Sequence, residues 1–495
     1  MDTLQNFLDT LSGYIWGPYV LIPLLFLTGL YLTIRLGGLQ FTRLVAAMNL
    51  GIIKRRDQGS RGDITQYQAL TTALAATVGT GNIVGVATAI AIGGPGALFW
   101  MWVTGLLGMA TKYAEAFLAV RFRTADANGE RNGGPQYYLE RGIRGPVGKV
   151  LAWMFTIFTV LATFGIGNMT QANAIAANIE NSFSVPIWLT GIILTIGALV
   201  VLVGGIKSIG KVTAALVPVM IVFYILAALF VLAVNAGDIP AALGFIFHDA
   251  FTGSAAAGGF TGAVFVIVIQ YGFARGMFSN ESGLGSAPIA AAAAQTTHPV
   301  RQGLVSMTQT FIDTIIVVTM TGLVIVTTGA YKLVDPDTGE QMSAALMTGE
   351  GFAAGLPGQW GHWVVTLGLA LFAFSTLLGW SYYGERNMEK MFGVKSVMPY
   401  RVFFCLIVFL GATTELEIVW SFSDVMNGLM ALPNLIGLVV LSGLIVRETR
   451  SYLAFDPKLT ASREEVHAAL AEDPGFQAWR AQEDELDGME PATRQ

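Results

Sequence analysis

The sequence predicts an all-α integral membrane protein of about 11 transmembrane helices: two inverted five-helix repeats, helices 2–6 and 7–11, behind one extra N-terminal helix. Three observations carry this reading. Of 495 residues, 54% are hydrophobic and only 12% charged, about half the ~25% of an ordinary soluble domain. Apolar stretches of about 20 residues recur, each long enough to cross a roughly 30 Å hydrocarbon layer. Lys and Arg gather in alternate connecting loops, as the positive-inside rule requires.

In chain order the apolar segments fall at 14–35, 66–92, 97–120, 149–179, 187–206, 210–235, 260–296, 303–330, 359–384, 399–413 and 418–446. Backbone groups in lipid must pair within their own segment, and no alternation of apolar and polar residues suggests a barrel, so each reads as a helix. The loop after segment 1 carries Arg35, Arg43, Lys54, Arg55, Arg56 and Arg61; that after segment 3 carries Arg121, Arg123, Arg131, Arg141, Arg144 and Lys149. Lys207 with Lys211, then Arg301, then Arg386, Lys390, Lys395 and Arg401 mark the next alternate loops, whereas Lys332 lies on the opposite side. The N-terminus is therefore expected outside and the C-terminus in the cytoplasm, in the plasma (inner) membrane. No Lys or Arg precedes segment 1, so it lacks the basic start of a cleaved signal and should remain as a span.

This gives an external N-terminus at 1–13, the extra helix at 14–35, a first repeat at 66–235, a second at 260–446 and an acidic cytoplasmic tail at 447–495. The net charge of −5 belongs to that tail, which holds 6 basic and 11 acidic residues. It reads as a solvated extension with a short amphipathic helix around Ser462 to Leu470. The external loop 331–358, with Asp335, Asp337, Glu340 and Glu350, is placed to cover an outer vestibule.

Two segments are wrong for plain membrane helices. Segment 2 contains Val78-Gly79-Thr80-Gly81-Asn82 at mid-membrane, and segment 7 contains Tyr271 to Met277 followed by Ser279-Asn280-Glu281-Ser282-Gly283-Leu284-Gly285. Glycine costs about 1 kcal/mol of helix propensity relative to Ala, and irregular backbone at this depth survives only inside protein or around a cavity. Small-residue packing is the plainer reading of one such span. Two of them, at matching positions in antiparallel sets of five, point to a transporter's substrate site. Half-helix N-termini attract a carboxylate, and freed carbonyls hold a cation. An amino acid carried with sodium suits both ends.

The runs Gly79 to Ile90, Gly93 to Trp102, Gly133 to Tyr138 and Asn280 to Pro288 resemble those of the alanine or glycine:cation symporter (sodium:alanine symporter) family, over essentially the whole transmembrane region. The resemblance implies a leucine-transporter-type fold and Na⁺-coupled uptake of small neutral amino acids such as alanine and glycine. It places Na⁺ at the carbonyls of Ala75 and Val78 with oxygens of Ser375 and Thr376. A second sodium site would use Thr77, Asn82 and Asp313, although Val268 stands where two-sodium members of the fold supply a hydroxyl. Substrate-binding residues implied are Thr80 and Gly81, then Phe164, Gly165, Asn168 and Gln171, Phe273 and Met277, and Thr376 with Trp380. Thr376 and Trp380 lie four apart and share a helix face; Gly165 opposite Trp380 would shape a cavity for a small side chain.

Ionisable groups within spans are costly and mark function or structural pairing. Asp313 is expected near the ion or substrate; Arg275 and Glu281 form either part of a gate or a pair bracing the broken helix. Lys112 and Glu115, three apart near the inner end of segment 3, are explained by pairing or snorkelling and have no role in transport. Catalysis has no footing: His248, His298, His362 and His467 lie off the span centres, and no phosphate-binding G-x-x-x-x-G-K-[ST] loop occurs. The chain is thus read as no enzyme, with no cofactor beyond Na⁺ as coupling ion. Its partners are a small neutral amino acid, Na⁺ and the lipid bilayer, without nucleic acid. A proton-coupled carrier or exporter using Asp313 is the main alternative; a channel or membrane sensor is a further class.

Overall fold

The computed structural model describes residues 2–17, 19–57, 61–252, 261–334, 339, 341–414 and 417–488. Asp335, Asp337, Glu340 and the expected start of segment 7 lie outside the described residues. Each of the apolar segments contains a helix. Six described helices are long and apolar enough to cross a membrane alone, and the pair Gln66–Thr77 and Gly81–Gly93, bent by 54°, makes a seventh. Segments 1 and 5 are shorter, Leu21–Arg35 and Ile187–Leu202. Segment 3, Gly96–Arg121, is long but carries charged side chains at Lys112, Glu115 and Arg121.

Segment 2 opens on a capping box: the Thr65 hydroxyl accepts from Gln68 N at 3.1 Å and Gln68 Oε1 from Thr65 N at 2.9 Å. Its helix ends at Val78, whose ψ of 91° is extended. Segment 7 runs as a helix over Thr261–Asn280, is non-helical from 281 to 287, and resumes at Pro288–Ala292. Unwinding is therefore absent at Tyr271 to Met277, where the sequence suggests it. A Cβ on Gly272 would stand 2.6 Å from the Ala97 carbonyl oxygen, and one on Gly276 3.2 Å from Met101 Cα. These two glycines serve close packing against segment 3 instead.

The two broken segments lie antiparallel. Gln66–Thr77 packs on Pro288–Ala292, and Val86–Gly93 on Thr261–Asn280. Just beyond them Ile64 bridges to Ala294 and Arg61 to Thr296, with Gln295 N donating to the Ile64 carbonyl at 2.7 Å. Each half of one broken helix therefore meets the opposite half of the other, and the two breaks face each other.

Three features depart from the sequence reading. Residues Asp2–Ile15, most of which read only as an N-terminus ahead of segment 1, form a helix packed on Glu417–Phe455, with Gln5 Nε2 bonded to Ser421 Oγ at 2.8 Å. Helices Ile239–Thr252 and Ala344–Ala353 stand in what read as loops; the second buries Met347 and Phe352 and bonds Thr348 Oγ1 to the Ile83 carbonyl at 3.2 Å. The tail is not a solvated extension. Its helix Arg463–Ala469 lies where the amphipathic stretch suggests, but Pro474–Gly488 folds back and buries Phe476, Trp479 and Leu486. Glu483 meets the buried Arg123 at 2.6 Å, and Asp484 meets Arg61 at 2.7 Å. The cause is charge complementarity: the tail's acids pair with basic loops that apolar-run counting treats only as topology markers.

Candidate functional site

At the break in segment 2 a small enclosed cavity is lined by Thr77, Gly79, Thr80 and Gly81, by Ile166 and Gln171 of segment 4, by Phe278 and Glu281 of segment 7, by Thr376 and Trp380 of segment 9, and by Asn427 of segment 11. In this conformation it has room for about one water molecule. Asn82 shapes the break by accepting the Gly79 N–H on Oδ1 at 2.9 Å. Gly79 admits no side chain, since a Cβ there would collide with Thr376 Oγ1.

Behind the cavity, Ser375 Oγ and Thr376 Oγ1 lie 3.1 and 3.2 Å from the Ala75 carbonyl oxygen, sharing their protons with the Phe372 carbonyl of their own helix at 2.8 and 3.1 Å. This brings Ala75, Ser375 and Thr376 together and ties segment 2 to segment 9; Val78, which ends the helix one turn on, is buried. The set is all oxygen, which suits a hard monovalent cation. A second cluster surrounds the fully buried Asp313: its carboxylate accepts from Asn82 Nδ2 at 2.8 Å, Ser279 Oγ at 2.9 Å and Thr314 Oγ1 at 2.8 Å. Thr77 is close by, accepting from Gln309 Nε2 at 2.9 Å while Gln309 also donates to the Asn280 carbonyl at 3.2 Å. Ser279 of segment 7 thus brings a hydroxyl to this cluster.

Thr80, Gly81, Gln171, Thr376 and Trp380 thus reach the cavity as the sequence suggests. Five other candidates do not. Phe164 packs among Tyr400, Phe403 and Phe404, at ring distances of 5.7, 5.4 and 6.3 Å. Asn168 donates to the Phe404 carbonyl at 2.8 Å, on the far side of its helix. Gly165 faces Ser423, and it is Gly167 whose Cβ would run into Trp380. The reason is a wide helical turn over Gly165–Met169, an inserted residue that rotates the register. Phe273 and Met277 line a separate cavity toward Phe26 of segment 1. Because segment 7 stays helical through Asn280, Phe278 and Glu281 face the centre in their place.

One charge reading changes and another is decided. Arg275 is not paired with Glu281; its guanidinium lies 5.8 Å from the Phe278 ring, in a cavity shared with Asp9, Trp16 and Asp424. Phe278 lines both cavities and is the wall between them. Lys112 and Glu115 are buried in the protein rather than snorkelling. Lys112 Nζ donates to the Glu281 carbonyl at 3.0 Å and stands 3.8 Å from Glu115. Glu115 Oε1 accepts from Gly283 N and Gly285 N, both at 3.0 Å, and from Asn434 Nδ2 at 2.7 Å. The pair satisfies the backbone that segment 7 leaves unpaired where it unwinds. Glu115 and Asn427 were findable as polar residues inside apolar segments, but nothing in the sequence aims them at the break.

Paired broken helices around a small cavity lined by polar side chains are the architecture of secondary transporters. The architecture is shared with the solved structure of MhsT in complex with L-phenylalanine, at a TM-score of 0.52 and 15% identity, covering 88% of this chain and 97% of that one. The sequence pattern of the sodium:alanine symporter family matches residues 1–466, and the chain belongs to that family. It is 52% identical over 450 residues to the sodium/alanine symporter AgcS of Methanococcus maripaludis, covering 90% of this chain and 97% of the relative. An uncharacterized transporter of Haemophilus influenzae is 49% identical over 451 residues, with 91% and 96% covered. The protein is a multi-pass membrane symporter that couples an amino acid to sodium.

Proposed function

We propose that the protein imports alanine or glycine with Na⁺ by alternating access, through 11 crossings built as two inverted repeats, with the N-terminus outside and the C-terminus in the cytoplasm. One observation carries the substrate reading: Gln171 Oε1 and both amide atoms of Asn427 are buried, without hydrogen-bond partners, in residues that line the central cavity. Unpaired buried polar atoms cost free energy that a zwitterion would recover. The substrate carboxylate meets the N–H groups near Thr80 and Gly81, at the positive end of Gly81–Gly93. Trp380, wedged against Gly167, leaves room only for a small side chain.

Sodium at Ala75, Val78, Ser375 and Thr376 holds segments 2 and 9 together and favours the closed cavity, so each ligand raises the other's affinity by the same factor. Thr77, Asn82 and Asp313 form the second cation cluster. The relative named a sodium/alanine symporter supports both ligands. Proteoliposomes given an inward Na⁺ gradient should accumulate labelled alanine or glycine against its own gradient. Accumulation driven by a pH gradient in choline medium would instead assign Asp313 to proton coupling.

A further inference from the structure

We propose that the carboxylate of Glu281 is the counter-charge for the ammonium group of the transported amino acid, an assignment that rests on the function proposed above. Glu281 is buried, lines the central cavity, and sits at the first turn of the unwound stretch of segment 7. Its φ of 55° is left-handed, a conformation that a side-chain-bearing residue seldom adopts and that persists where surrounding structure enforces it. The strain is held in place by a bond from Lys112 Nζ to the Glu281 carbonyl at 3.0 Å.

The side chain is aimed by two neutral donors. Trp380 Nε1 donates to Oε1 at 2.7 Å and Ser286 Oγ to Oε2 at 2.5 Å. Neither neutralises the charge. Among the described residues no basic group lies within ion-pairing distance of it, and the nearby Lys112 is paired with Glu115. The nearest cation, Lys112, is bonded to the Glu281 carbonyl and shared with Glu115, so the carboxylate oxygens themselves meet only neutral donors and retain lone pairs for further ones. The unpartnered Gln171 Oε1 lies on the same cavity. A charged acceptor and a neutral one around a small space match a primary ammonium, whose three N–H groups are all donors. The same charge repels a ligand that keeps the carboxylate but replaces the ammonium by hydroxyl.

The experiment is competition against labelled alanine uptake in proteoliposomes, comparing unlabelled alanine with lactate, in wild type, E281Q and E281D. In E281Q the apparent affinity for alanine should fall about 10- to 100-fold, the loss expected for a charge-assisted hydrogen bond. The preference for alanine over lactate should fall with it, while half-activation by Na⁺ stays at the wild-type value. An E281Q protein that keeps the wild-type alanine-to-lactate ratio overturns the assignment. So does one that loses Na⁺ activation at unchanged alanine affinity, which would make Glu281 a sodium ligand. Should E281Q not fold, as judged by gel filtration, E281D decides: its retracted carboxylate should lower both the alanine affinity and the alanine-over-lactate preference, and wild-type values of both overturn the assignment. Wild-type protein that fails to accumulate alanine on a Na⁺ gradient removes the function and this assignment together; an unchanged ratio in transporting E281Q removes this assignment alone.

Discussion

Single atoms decide the cavity's dimensions. Gly167 has no room for a methyl group, because the space its Cβ would take holds the Trp380 side chain. Gly167→Ala therefore pushes the indole into the cavity, and overpacking of this kind costs about 1–3 kcal/mol. Alanine uptake should drop about tenfold or more while glycine, one methyl smaller, suffers less; a competition series of glycine, alanine and serine measures it. Gly165→Ala tests the alternative wall. Its Cβ would strike Ser423, away from the cavity, so any defect should be repaired by Ser423→Gly without a change in substrate ranking. Thr376→Ala removes an oxygen from the set around the Ala75 carbonyl, and a lost polar partner is worth about 1–3 kcal/mol. The Na⁺ concentration for half-activation should rise tenfold or more with the order of preferred substrates kept; unchanged sodium activation would remove Thr376 from the ion site.

The breaks in the helices show how far the sequence reaches. The break in segment 2 is legible because glycines and polar groups interrupt an apolar run; the chain leaves the helix at Val78 and Gly79 and resumes it with a wide turn over Gly81–Gly85. In segment 7 the same signal is ambiguous: Gly272 and Gly276 pack against Ala97 and Met101, whereas Gly283 and Gly285 adopt φ of 99° and 84° in the unwound turn. Composition cannot separate a packing glycine from a turning one. Nor can it reveal the wide turn at Gly165–Met169 that moves Phe164, Gly165 and Asn168 off the cavity while leaving Gln171 on it. The partner of the unwound turn was equally hidden, since Glu115 is over 160 residues away in sequence from the amides it receives. Glu115→Ala would orphan the N–H groups of Gly283 and Gly285 and leave Lys112 buried without a counter-charge. Removing one member of such a buried pair costs about 3–5 kcal/mol. Folded yield and half-life at raised temperature in detergent should both fall sharply, and Glu115→Ala with Lys112→Met should recover part of the loss; a lone Glu115→Ala of wild-type half-life would refute the brace.

The tail joins parts of the chain that the spans keep apart. Helix Pro474–Gly488 lies past residue 466, where the family match ends, yet its Glu483 is bonded to Arg123, whose guanidinium also holds the Ala292 and Ala294 carbonyls at 3.1 and 2.9 Å. Beside them the His298 ring stacks 4.4 Å from Tyr452 and 5.7 Å from Phe476 of the tail. Burial, then the neighbouring Arg301 cation, pushes His298 from its ordinary 6.5 down to about 3; Arg121 acts in the same direction and Asp473 of the tail opposes them. Docked, the imidazole is neutral; release of helix Pro474–Gly488 uncovers the face held by Phe476 and so raises its affinity for a proton, while Arg301 and Arg121 stay beside it. The released state takes up the extra proton, so docking is fully stabilised above about pH 6.5 and weakens as the pH falls from there toward 3. Each unit of pH across that window costs at most about 1.4 kcal/mol. Limited proteolysis between Ala469 and Pro474 should accelerate from pH 7.5 to pH 5, by up to tenfold for each unit below 6.5. His298 Nδ1 also accepts from Val300 N at 3.2 Å, so His298→Asn keeps the helix cap while removing the titration. Cleavage of that variant should lose most of its dependence on pH over the same range; an unchanged profile would move the acid sensitivity to the carboxylates of the tail.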